Sequence, residues 1–139
     1  MKKSTEELLN QIKISKNITD YVEGNQSEFI STSYYDLLNN YLVEKKLSLS
    51  TIADSSCLGT YVYKVFQGKR NPSQDVLLCI SLSMNLSVEQ TQQLLRVANL
   101  SLLDPRKQKD SIVIYGLSHS LSVPQVNDIL YDILEKTIS

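Results

Sequence analysis

The chain has 139 residues, room for one domain with appendages, and 42% of them are hydrophobic, which is ample for a core. Its formal charge of −1 gives no overall polyelectrolyte signal for nucleic acid or a membrane surface. Four glycines and three prolines fit an all-helical protein, and no apolar run approaches the ~18 residues that span a bilayer.

The N-terminus, MKKSTEELL, lacks the long apolar segment of a secretory signal, so a cytoplasmic protein is expected. Ser4 and Glu7 have the spacing of a capping box, and Leu8, Leu9 and Ile12 make one apolar helical face. A second short helix is expected from Ile18 to Val22, stopped at Gly24, and a third signal starts near Ser27 with Phe29 and Ile30. Residues 1–32 therefore read as an N-terminal helical arm that serves as a packing extension, a dimerisation element or a cover for the body. Ser33 and Asp36 open the next helix, in which Tyr34, Leu37, Leu38, Tyr41 and Leu42 form a broad apolar stripe. Lys45 and Lys46 are expected in its last turn, where they suit the helix dipole and could reach a phosphate.

The stretch from Ser48 to Ser73 reads SLSTIADSSCLGTYVYKVFQGKRNPS. Ser48 or Ser50 can cap a short helix that turns Ile52 and Ala53 inward, and Ser56, Cys57 and Leu58 interrupt it. Tyr61, Val62, Val65 and Phe66 then recur on one helical face. Gly68 is placed to end that helix with a left-handed cap. Lys69-Arg70-Asn71-Pro72 forms a basic loop, and Ser73 can cap the helix that follows.

Two short helices about a tight turn, a glycine stop and a basic loop make a pattern that resembles the helix-turn-helix family of phage repressors and their bacterial relatives, the XRE family. The most specific part is Tyr61 to Ser73, and the resemblance spans roughly Tyr34 to Asn99. It implies an all-α, λ-repressor-like helix-turn-helix domain over residues 33–99. In that family the second helix of the pair enters the DNA major groove, and the Gly-Lys-Arg-x-Pro loop lies near the DNA backbone. Carried onto this chain, the resemblance makes Thr60, Tyr61, Tyr63, Lys64, Gln67, Lys69 and Arg70 the DNA-contacting candidates. Two positions depart from the family: Leu58 stands where a small polar cap is usual, and Gly59 where a polar or charged base-contacting residue is usual.

Beyond the basic loop, Val76, Leu77, Ile80 and Leu82 mark a helix that Asn85 can end. Ser87 and Gln90 make a second capping box, followed by Val88, Leu94, Leu95 and Val97. These complete five helices, the number expected of a repressor-type domain. An internal echo comes next: Asp75–Leu95 and Asp110–Leu130 align at an offset of 35 residues, pairing Leu86-Ser87-Val88 with Leu121-Ser122-Val123 and Gln90 with Gln125. Residues 100–139 are therefore expected to form a C-terminal helix pair that packs on the same core through Leu117 and Leu121, with Leu130–Ile138 left for a dimer contact. In the connector, Asp104 can cap and Pro105 suits a first helical position. This tail looks like the C-terminal extension of a group of small repressor-like proteins of low-GC Gram-positive bacteria.

Little in the sequence points to catalysis. The single histidine, His119, falls in an expected turn, and Cys57 and Cys79 have no metal-ligand spacing. There is no HExxH helix, and Gly68-Lys69 lacks the upstream glycine and following hydroxyl of a phosphate-binding loop. Neither catalytic residues nor a metal nor a cofactor is expected. Between Ser33 and Ala98 six lysines and arginines stand against five acidic residues, so clustering matters more than total charge. Lys64, Lys69 and Arg70 supply that cluster. The expected function is a sequence-specific DNA-binding transcriptional regulator, dimeric on paired half-sites of double-stranded DNA. The alternative is a protein–protein adaptor on the same fold, with weak or no DNA binding, acting through its tyrosine-rich surface or C-terminal helices.

Overall fold

The computed structural model describes residues 3–24 and 33–139. Among these residues all regular structure is helical, in nine helices with no strand. None of the helices is long and apolar enough to cross a membrane. The chain divides into two compact units, Met1–Ser31 and Thr32–Ser139. The helix signal at Ser27, Phe29 and Ile30 lies outside the described residues.

The first unit holds α1 (Thr5–Ile14) and α2 (Ile18–Gly24). The Ser4 hydroxyl accepts from the Glu7 N–H at 3.2 Å, which is half of the expected capping box. The Ser15 N–H closes α1 on the Gln11 and Ile12 carbonyls, and Asn17 Oδ1 accepts from the Thr19 N–H to open α2. No side chain of α1 is fully buried.

The second unit comprises α3 (Tyr34–Glu44), α4 (Leu49–Ser55), α5 (Tyr61–Phe66), α6 (Gln74–Ser83), α7 (Val88–Val97), α8 (Gln108–Ser118) and α9 (Val123–Leu134). Five of these helices start alike. Ser33, Ser48, Ser73, Ser87 and Ser122 each accept a bond from the backbone N–H three residues on. At Ser87 and Ser122 a glutamine returns the bond, completing a capping box.

Five of these helices also end alike. Lys46, Gly68, Asn85, Asn99 and Ser120 take positive φ, and the N–H of the next residue reaches back to a carbonyl five residues before it. In four cases that next residue is a leucine, Leu47, Leu86, Leu100 or Leu121, and each packs on the core. The repeat in the sequence is thus a repeat in geometry: Asn85 and Ser120 reverse the chain with φ of 55° and 54°. Leu86 bonds to Ser81 and Leu121 to Gly116, and the two capping boxes follow.

One apolar cluster runs through α3 to α9. Leu38, Ile52, Val62, Val65, Leu77, Leu94, Val113, Val126 and Leu130 are wholly removed from solvent. Leu117 joins this core as expected, while Leu121 is only half-buried.

Two expectations need correction. Lys45 and Lys46 lie beyond the end of α3; Lys45 forms its cap, and its Nζ donates to the Asn85 carbonyl at 3.1 Å. Asp104 does not cap α8, which starts only at Gln108. Instead its carboxylate accepts from the Arg106 N–H in a tight turn holding Pro105, and its own N–H donates to buried Asp110. Within Leu130–Ile138, the segment expected to be left for a dimer contact, Leu130 and Ile138 are buried while Tyr131 and Ile133 are exposed. The Asn127 amide oxygen accepts from the Ile138 N–H at 2.9 Å and so holds the last residues in place.

Candidate nucleic-acid interface

The α4–α5 pair turns its apolar residues inward, Ile52 and Ala53 from one helix and Val62, Val65 and Phe66 from the other. The turn between them passes through two left-handed residues, Cys57 (φ 65°) and Gly59 (φ 60°). Buried Ser56 accepts from the Leu58 N–H, and the Gly59 N–H bonds to the Ala53 carbonyl. These contacts set the roles of Leu58 and Gly59. Leu58 packs against the core instead of capping α5, and position 59 has a backbone conformation that favours glycine.

Burying Val62, Val65 and Phe66 forces the opposite side of α5 outward. Thr60, Lys64 and Gln67, at helical i, i+4, i+7 spacing, are exposed. Lys69 and Arg70 in the following loop are exposed as well. Tyr61 and Tyr63 differ from the other five candidates, being half-buried and packed on the core. Among the described residues the ion pairs are Asp104–Arg106 and Asp75–Lys109, so Lys64, Lys69 and Arg70 keep their charge unpaired.

Helix α3 fastens the basic loop. The Asn39 amide donates to the Phe66 carbonyl at 2.9 Å, and the Tyr34 hydroxyl donates to the Arg70 carbonyl. Burial first, then the neighbouring Tyr35 and Tyr61, hold the Tyr34 hydroxyl above its ordinary pKa, which keeps it a proton donor. The Tyr35 ring lies over Gly68, where an added Cβ would come within 2.7 Å of it. Sequence reasoning assigned Tyr34 to the apolar stripe and passed over Tyr35 and Asn39. One signal was present: asparagine is a poor helix-interior residue, so Asn39 inside an amphipathic helix marks a side chain with a bonding role.

Among the described residues no group of three or more His, Cys, Asp or Glu side chains could hold a metal ion. His119 is exposed at the end of α8, its ring 4.2 Å from that of Tyr115. In comparison with known proteins, no family model matches the chain, and no curated protein or solved structure matches it significantly.

Proposed function

We propose that residues 33–99 are a repressor-like helix-turn-helix domain that binds double-stranded DNA, with α5 as the recognition helix, and that the protein is a transcriptional regulator of the XRE type. The observation that carries this reading is the cluster of Lys64, Lys69 and Arg70, exposed and unpaired on one short helix and its following loop. Cations so placed neutralise phosphates and release counterions. Thr60 and Gln67 supply the hydroxyl and amide that could read base edges from the same face.

The test is a salt-titrated selection from a random duplex library, followed by Lys69→Ala/Arg70→Ala. The double variant should weaken binding to every sequence alike and lower the salt slope by about two. Unchanged affinity in the folded variant would remove these residues from the interface.

A second reading, a protein–protein adaptor, is favoured by Gly59, which leaves the start of α5 with no charged or amide side chain before Lys64. It predicts retention on DNA that stays at background even at low salt.

A further inference from the structure

Among the described residues, the N-terminal hairpin carries exposed apolar surface. Leu9 and Ile12 lie on one face of α1 and are 49% and 43% exposed, and Ile18 at the start of α2 is 60% exposed. The more sheltered side of α1 carries Leu8, Gln11 and Ser15. A pair of helices this short, with no buried side chain in α1, cannot supply its own core.

The charges around the exposed face indicate what covers it. Glu6 and Lys13 stand seven residues apart, so they border the same edge of the Leu9–Ile12 face, one toward each end. A two-fold axis across the middle of α1 would bring Glu6 of one copy beside Lys13 of the other, twice. It would also set the acidic first turn of each helix against the basic last turn of its mate, which the helix dipoles favour. A patch that complements itself under a two-fold rotation is what an isologous contact requires.

We infer that the N-terminal hairpin binds a second copy of itself, α1 antiparallel to α1, with Leu9 and Ile12 in the seam and two Glu6–Lys13 contacts along one edge of it. This surface shares no residue with α5, so the inference stands apart from the DNA-binding reading and is tested without DNA.

Sedimentation equilibrium of the full chain should show a monomer–dimer equilibrium with a dissociation constant on the order of micromolar. Glu6→Lys or Lys13→Glu alone converts two attractive contacts into repulsive ones and should raise that constant about five- to thirtyfold. Combining Glu6→Lys with Lys13→Glu restores opposite charges across the axis and should return it to within about threefold of the parent. Leu9→Asp/Ile12→Asp should be monomeric with the thermal midpoint of residues 33–139 unchanged. Three results would each overturn the proposal: a monomer at all concentrations up to about 1 mM, a dimer that survives Leu9→Asp/Ile12→Asp, or a double charge reversal as weak as either single one. The second would point to a dimer surface elsewhere, and the third to an occupant other than a second α1.

Discussion

Asn39 on α3 donates through its side-chain nitrogen to two carbonyls, that of Tyr35 at 2.7 Å and that of Phe66 at 2.9 Å. The second bond crosses to the last residue of α5, where a helix has carbonyls without helical donors. Together with the Tyr34–Arg70 bond and the Tyr35 ring over Gly68, it fixes the direction in which the chain leaves α5. The position of Lys69 and Arg70 is thereby set by three contacts from the first two turns of α3, whatever those cations bind.

Asn39→Ala leaves the part-buried Phe66 carbonyl without its donor and should cost about 1–3 kcal/mol of unfolding free energy. Asn39→Asp keeps the shape but, once ionised, can only accept, and so faces two carbonyls with a negative charge. It should be at least as destabilising at neutral pH. Urea unfolding of the two variants measures both. An aspartate variant as stable as the parent would show that the bridge does not hold the end of α5.

Two neighbouring positions in the C-terminal pair should respond in opposite directions. Ser120 adopts φ 54° at the end of α8, a conformation that disfavours side chains with a Cβ. Ser120→Gly relieves that strain, offset partly by the greater freedom of the unfolded chain, and should stabilise by about 0.5–1 kcal/mol. Gly116 lies where α8 meets α9, and a Cβ there would fall 2.4 Å from Val126 Cγ2. Gly116→Ala should therefore cost about 1–3 kcal/mol as an overpacked contact. Thermal midpoints moving the same way in both variants would contradict this account of the turn and the crossing.

Local rules carried much of this architecture. Serine caps, the glycine and asparagine stops and the buried faces of α3 to α7 all follow from spacing, because each depends on residues within one or two helical turns. The 35-residue echo also held, since the leucine after each left-handed residue and the Ser-x-x-Gln box are local signals. What the spacing could not show was tertiary consumption of side chains. Tyr63 reads as a surface candidate, yet it packs on the core; Tyr61, which the spacing also puts on the apolar face, does the same. Asp104-Pro105 has the form of a helix start, but Asp110 draws the Asp104 N–H into a separate turn. Ile138 appeared free for a partner until Asn127, eleven residues earlier, claimed its backbone. The basic cluster was legible by position; its brace was not, because Asn39 and Phe66 are 27 residues apart.

The two thiols should differ sharply in reactivity. Cys57 is exposed and Cys79 buried, with its Sγ donating to the Ile138 carbonyl. Burial, with a smaller contribution from Asp75, pushes the Cys79 thiol up to about 12. In the native protein one thiol should react promptly with a disulfide reagent at pH 8, and the second only at the rate of unfolding. Because the folded pKa is raised, the unfolded chain loses this proton first. Stability should be unaffected below pH 9, the ordinary thiol value, and should fall as pH rises from there toward 12. Equal, fast labelling of both cysteines would show that the last residues do not cover Cys79.

Deleting the chain from Asp104 onward tests whether α8 and α9 are part of the body or an appendage to it. Val113, Leu117, Val123, Val126, Leu130 and Ile138 are all buried. Burying six such side chains is worth roughly 9–18 kcal/mol before the entropy of ordering the segment is subtracted. That is comparable to the whole net stability of a domain, about 5–15 kcal/mol. The loss is not confined to the deleted residues. Helix α6 packs against both α8 and α9, and the deletion would bare the side of α6 that carries Cys79 and Leu82. It would also remove Lys109 from Asp75. The truncated chain should therefore aggregate, or unfold at a midpoint lower by more than about 10 °C. Light scattering and thermal unfolding distinguish the outcomes. A monodisperse fragment with the parent's midpoint would mean that α3 to α7 form a complete core without the C-terminal pair.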